Sequence, residues 1–243
     1  RENEDLKQTQ SSQYDLLVKE NLVSFQRQID GINAWLDVIS RKTEMLAIGF
    51  REAISHLKTQ RISYPEPYFP DFNKYNSKLA QMRGYIKINL GCGEKPLKDY
   101  INIDMRPLPD VDVVADVHLL PYEESTVYEI YNAHLIEHFR EQHLRMILLP
   151  YWKSLLQPNG FIRIITPNFE KMLSMLNSGE LTYDNFKRIT FGAQDYEGDD
   201  HFCIFTPESL KRLLRDVGFG TIEVVVLDRM NGDCPEMELI AKF

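Results

Sequence analysis

The stretch INLGCGEKPLKDYINID, residues 88–104, decides how the chain is read. One apolar run ends in two glycines, Gly91 and Gly93, and a second ends in Asp104, eleven residues after Gly93. Glycines past a strand permit a tight turn and let a ligand approach the backbone. A dinucleotide fingerprint would run on to a third glycine and an acid ~20 residues later. Here Glu94, Lys95 and Pro96 follow, and Pro96 stands where a helix should begin. Residues 91–100 leave room for about one helical turn, close to the shortest crossover allowed. A pyrophosphate seated on a helix N-terminus is therefore poorly supported. A ribose without phosphates fits better, with Asp104 accepting from its hydroxyls. Asp116 closes the next run, VDVVAD, where an adenine amine would donate, and Val117 beside it offers an apolar face and a backbone N–H.

Outward from this stretch, apolar runs alternate with helical patterns. Strands are predicted near 85–90, 100–104, 111–115, 127–133 and 160–166, and helices over 140–157, 168–177 and 206–217. TIEVVVLD and EMELIAKF form a closing strand pair around Asn231-Gly232, a turn signal. The alternation implies an α/β domain with a mostly parallel sheet. Ligands of such sheets bind beyond the carboxyl ends of the strands.

The ordered set INLGCG at 88–93, NID at 102–104, DVHLLPYEES at 116–125, HLIEHF at 134–139, LLQPNGFIRIITPN at 155–168 and LLRDVGF at 213–219 resembles the class I S-adenosylmethionine-dependent methyltransferases. The resemblance covers residues ~85–225. It implies a Rossmann-like seven-stranded, mostly parallel sheet with its last strand antiparallel and helices on both faces. It implies S-adenosylmethionine as cofactor, with Gly91, Cys92 and Gly93 at its methionyl part, Asp104 at the ribose, Asp116 and Val117 at the adenine, and His134 close to the methyl donor. The short first crossover departs from the family pattern.

Methyl transfer from a sulfonium is an in-line displacement whose neutral leaving group needs little help. The enzyme must align the acceptor and, for a hydroxyl, take its proton. Of the six histidines, His134 and His138 lie at the end of the fourth strand and His201 in the long segment FGAQDYEGDDHFCIFTPES, residues 191–209. These three are the catalytic candidates. Glu137, Asn168, Tyr196, Asp200 and His201 are the candidates for contact with the acceptor. Asp199 or Asp200 beside His201 would orient it or raise its pKa. Some related enzymes hold a divalent metal with acid and histidine residues near this strand end; no metal is assigned to this chain. His118 reads as a turn cap and His143 as a helix residue.

Residues 18–57 carry a different pattern. Leu22, Ile29, Leu36, Thr43, Phe50 and Leu57 in one phase, with Val18, Phe25, Ile32, Ile39, Leu46 and Ala53 in the other, are apolar at every place but Thr43. That spacing is a coiled-coil seam, so residues 1–60 are expected to form a helix that joins copies of the chain. YPEPYFPDF at 64–72, within a linker over 61–84, joins it to the catalytic domain at 85–243. Net charge is −8, of which −1 falls in residues 1–60 and −7 in the rest, which speaks against nucleic acid as a partner. No apolar run approaches the ~20 residues of a membrane span. The first thirty residues are polar, without a signal-peptide core, and Arg1 in place of Met points to residues upstream. Three widely spaced cysteines fit a reducing, cytoplasmic setting.

For the acceptor, an aromatic segment around His201 over a polar floor suits a saccharide hydroxyl, and equally a phenol or another small molecule. The methyltransferases that the chain resembles often belong to surface-polysaccharide and O-antigen pathways, which is analogy. A coiled-coil scaffold carrying an inactive cofactor domain is the alternative from another class. A dehydrogenase is disfavoured by the missing third glycine.

Overall fold

The computed structural model describes residues 22, 24–43, 64–195 and 198–243. They fall into two units, divided between residues 63 and 64. In the first unit a helix, α1, runs over 24–43. The seam residues Leu22, Phe25, Ile29, Ile32, Leu36 and Ile39 are all exposed on it, together with Trp35. The remaining apolar seam positions, Val18, Leu46, Phe50, Ala53 and Leu57, lie outside the described residues.

The second unit begins with an irregular segment whose Tyr68 pairs with Val114 at the sheet's edge. Helix α2 (Phe72–Gln81) follows, inside the stretch read from sequence as linker. Asp71 caps it, accepting from the Lys74 N–H at 2.9 Å. Lys78 anchors it to the buried Asp112 at 2.5 Å. Only Tyr75 of this helix is buried, with Leu79 packed partly against the same core.

Strands β1 (Ile86–Leu90), β2 (Ile101–Asp104), β3 (Val113–Val114), β4 (Val127–Ala133), β5 (Leu156–Pro167), β6 (Thr221–Asn231) and β7 (Cys234–Lys242) form one sheet in the order 3-2-1-4-5-7-6. β1 to β5 are parallel and β7 is antiparallel to both its neighbours. Between β4 and β5 the chain is helical from α3 (Glu141–His143) through a π-helical turn (Leu144–Leu148) to α4 (Leu149–Leu155). Pro150 in the first turn of α4 has no N–H to give the preceding turn, and the wide turn falls just before it. Helices α5 (Phe169–Ser178), α6 (Tyr183–Phe191) and α7 (Pro207–Asp216) separate β5 from β6. α6 has no counterpart among the helices predicted from sequence.

The core identifies which face of the sheet is covered. Ile88, Ile101, Ile130, Ile162 and Ala241 stand in one row across the register, and Leu90, Ile103, Ile164 and Leu239 in the next. These residues form one buried cluster with Tyr75 of α2, Leu149 and Trp152 of α4, and Leu210, Leu213 and Leu214 of α7. The alternate rows face the other way. One holds Lys87, Glu129, Phe161 and Lys242, the next Asn89, Tyr131, Arg163 and Ile240. There an ionic ladder takes the place of an apolar layer. Arg163 pairs with Glu129 at 2.9 Å and with Glu238, and Arg229 reaches Glu238 at 2.9 Å and Glu236 at 2.5 Å. The β1–β2 and β2–β3 connections contain no helix.

Candidate active site

Gly91 and Gly93 both take left-handed backbone angles, φ 63° and 51°, as a tight turn off β1 requires. A Cβ on Gly91 would stand 2.8 Å from Leu135, so this glycine answers to packing against the loop after β4. A Cβ on Gly93 would meet only the Arg106 guanidinium, at 3.6 Å. Cys92 turns inward against Val111 and Val114, and burial pushes its thiol up to about 12. Its part in any site is therefore its backbone.

Asp104 ends β2 beneath this turn. Its Oδ2 accepts the Gly93 N–H at 2.8 Å, and its Oδ1 accepts the Arg106 backbone N–H at 2.9 Å and Nε–H at 3.1 Å. A carboxylate has about four acceptor positions, and three donors are already present. The set fits a ribose with the half-exposed Arg106 side chain turned aside, the Gly93 bond holding the carboxylate in place.

Asp116 is engaged in a way its sequence context does not show. Its Oδ1 accepts the His118 backbone N–H at 2.9 Å and the ring Nδ1–H at 2.5 Å. The far nitrogen of His118 lies 2.6 Å from Nε2 of His143. With Nδ1–H of His118 given to Asp116, its Nε2 accepts from His143. Tyr64 stacks on His118 with ring centroids 4.5 Å apart and planes 4° apart, and Phe139 meets it edge-on. Burial opposes the Asp116 carboxylate, but the hydrogen bonds from His118 outweigh it and leave its pKa below the ordinary value. Burial and the neighbouring His118 push His143 down. The Val117 carbonyl accepts from the Trp152 indole at 2.9 Å, which fixes this loop to α4.

At the end of β4, His134 holds a left-handed backbone, φ 52°, uncommon outside glycine. Its Nε2 bonds Glu236 of β7 at 2.8 Å, and its Nδ1 lies 3.2 Å from Glu137. Burial alone would lower its pKa, but Glu137 and Glu236 raise it to about 9. His134 is thus an imidazolium at neutral pH. Glu137 is almost wholly buried and takes a hydrogen bond from Thr166 at 3.1 Å. Burial disfavours its charge, yet His134 brings its pKa below the ordinary value. The 3.2 Å contact is not aligned as a hydrogen bond, and Oε1 of Glu137 has no hydrogen-bond partner. A buried acceptor in that condition is completed by a ligand or a water.

His201 is in the opposite state. Its Nδ1–H donates to the Ile189 carbonyl at 2.8 Å, which leaves Nε2 as the acceptor. Burial lowers its pKa by more than Glu137 raises it, so the ring is neutral. His138 meets it edge-on with centroids 4.7 Å apart and bonds the Asp200 carbonyl at 3.1 Å. His134 and His201 line one cavity of about 390 Å³, closed by α6 residues Asn185, Arg188 and Ile189 and by the β6–β7 turn at 231–234. Asn185 donates to Asp233 across it at 2.8 Å. Gly192 lets the following loop return: a Cβ there would stand 1.8 Å from the Asp199 carbonyl oxygen.

The structure thus brings together His134, Glu137, His138, Asp200 and His201, and separately Gly93 with Asp104. Asn168 is buried; it caps α5, accepting from Lys171 at 3.3 Å, and donates to the Leu227 carbonyl at 2.7 Å. Its side chain is spent on the fold, and it does not line the cavity. Tyr196 lies outside the described residues. Sequence reasoning missed Glu236, α6 and the His118–His143 pair. Among the described residues no group of three or more His, Cys, Asp or Glu is arranged to hold a metal, and no helix is long and apolar enough to cross a membrane.

The strand order, with β7 antiparallel, is that of the class I S-adenosylmethionine-dependent methyltransferases, and the second unit has their Rossmann-like fold. No known family pattern matches the chain, and no curated protein matches it. Among solved structures it is similar to an S-adenosylmethionine-dependent methyltransferase from Archaeoglobus fulgidus, with 16% identity and TM-score 0.45 over 70% of this chain and 92% of that one. It is similar to another from Methanosarcina mazei, with 17% identity and TM-score 0.45 over 72% and 98%. A third is the Burkholderia thailandensis 1,6-didemethyltoxoflavin-N1-methyltransferase bound to its substrate and S-adenosylhomocysteine, with 14% identity and TM-score 0.45 over 69% and 76%.

Proposed function

We propose that the chain is an S-adenosylmethionine-dependent methyltransferase that O-methylates a saccharide hydroxyl, with a phenolic or other small hydroxylated acceptor as the alternative. The observation that carries the reading is the cavity at the carboxyl ends of β4 and β5. It is lined by one neutral histidine with its acceptor nitrogen left over and one histidine held as a cation. S-adenosylmethionine supplies an electrophilic methyl group, and Gly93, Asp104, Asp116 and Val117 are the residues that would hold it. His201 takes the proton from the acceptor hydroxyl, with Ile189 fixing its tautomer. His134 brings positive charge to the cavity wall to orient the acceptor, and Glu137, buried behind it, sustains that charge. The inactive-scaffold alternative does not explain why a polar cavity assembles around these groups.

Methyl-donor turnover against saccharide and phenolic acceptors tests this reading, and no turnover on any hydroxyl would remove it. Asp104→Ala is expected to lose S-adenosylmethionine binding in calorimetry; unchanged affinity would remove the ribose assignment. The exposed apolar seam of α1 supports the expectation that copies of the chain associate through residues 18–57. A chain lacking residues 1–63 should then be monomeric by light scattering where the full chain is not.

A further inference from the structure

A second groove, of about 530 Å³, opens at the amino ends of the strands, at the opposite pole of the sheet from His201. It is lined by Arg83, Gly84, Tyr85, Tyr128, Gln157, Pro158 and Asn159. Tyr85 is 61% exposed. It is braced edge-on by Tyr128 at 5.1 Å, and Tyr128 in turn by Phe161 at 5.5 Å. The three rings make a fixed platform on a side chain that gains little from burial of its own. Around it the side chains of Arg83, Gln157 and Asn159 have no hydrogen bond or ion pair to any described residue. The lining contains no carboxylate. A rigid aromatic face ringed by a guanidinium and two amides, all unengaged, suits a ligand with apolar C–H faces and many hydroxyls.

We propose that this groove is an oligosaccharide-binding site, distinct from the acceptor cavity, that holds a remote part of a saccharide chain. A ring of the sugar stacks on Tyr85 while its hydroxyls accept from Arg83 and exchange hydrogen bonds with Gln157 and Asn159. The sheet face between the two poles carries Lys87, Tyr131 and Arg163, with Tyr100 against Tyr131. From Tyr128 to His134 along β4 the span is roughly 20 Å at strand rise, a distance for an oligomer and not a single ring. This deepens the saccharide reading and rests on it for the identity of the ligand, though binding at the groove is measurable without turnover.

The test uses the full chain and defined oligosaccharides: α-glucan, β-glucan, chito-oligosaccharide and oligouronate. Saturation-transfer NMR and calorimetry are run with wild type, Tyr85→Ala, Tyr85→Phe and His201→Ala. At least one oligosaccharide should bind. Tyr85→Ala should weaken it about tenfold, the loss of one stacked ring, while Tyr85→Phe and His201→Ala leave it within about twofold. The proposal is overturned if none of the four binds. It is overturned equally if binding is lost in His201→Ala and kept in Tyr85→Ala, or if single-stranded RNA displaces the sugar at lower concentration than the sugar itself. Absence of methyl transfer alongside Tyr85-dependent binding would sink the enzymatic reading and leave the site standing.

Discussion

His134, past the carboxyl end of β4, and His143, in the cluster past β3, are shifted in opposite directions. At β4, one ring, His134, is served by two buried carboxylates, Glu137 and Glu236, and is held as a cation with a pKa near 9. After β3, one carboxylate, Asp116, serves two rings, and His143 at the far end falls below its ordinary value. His201 extends the series, anchored only to a carbonyl and lowered by burial. The count of carboxylates per imidazole, set against burial, decides which histidine can take a proton and which can only present one. By that count the proposed base is His201 and not His134, although sequence gives both the same candidacy.

The largest expected effect follows from that assignment. His201→Ala should lower kcat by about 10²–10⁴-fold, the usual worth of a positioned base, with S-adenosylmethionine affinity unchanged in calorimetry. Full activity would reduce His201 to a packing residue. Gly192→Ala, which places a Cβ against the Asp199 carbonyl, should cut activity as well, through a displaced loop. Circular dichroism and limited proteolysis at residues 192–200 separate the two causes.

Glu236→Gln comes next and attacks His134. In wild type His201 must be neutral and His134 charged, so turnover should rise with pH through a value below 6.5, hold a plateau, and fall near pH 9. Removing one carboxylate should move the alkaline fall to lower pH and leave the acid limb in place. The stability sign is fixed too. His134 has a raised folded pKa, so its contribution is full below its ordinary 6.5 and is lost as pH rises through about 9. Glu236, lowered to about 2, contributes above its ordinary 4.5 and loses that as pH falls through about 2. Melting temperature should therefore decline from pH 6.5 to 9 in wild type and decline less in the variant.

The strands, the two glycines and Asp104 are legible in sequence because apolar runs and strand-end residues are local signals. α2 escapes because it is short and follows directly on Pro65, Pro67 and Pro70, although Phe72, Tyr75 and Leu79 keep helical spacing. α6 escapes because it packs in a satellite cluster with Met172, Met175 and Leu181, apart from the main core. Glu236 stands 102 positions from His134 and His143 stands 25 from His118; only the antiparallel β7 and the turn after β3 bring them together. The polar sheet face was legible in principle. Lys87, Glu129, Arg163 and Glu238 alternate with apolar residues, and strands covered on both faces would read as continuous apolar runs.

The smallest effect probes the other side of the comparison. His143 has a lowered folded pKa, so the native state takes its proton less readily than the unfolded chain does. Stability attributable to it is present above its ordinary 6.5 and is lost as pH falls through the lower folded value, opposite in sign to His134. His143→Phe keeps a ring beside Phe139, where the native ring stacks, and removes the titration. The melting temperature of the variant should change less between pH 6.5 and 5, by about 2 °C at most, because His143 is only partly buried and solvent screens its charge.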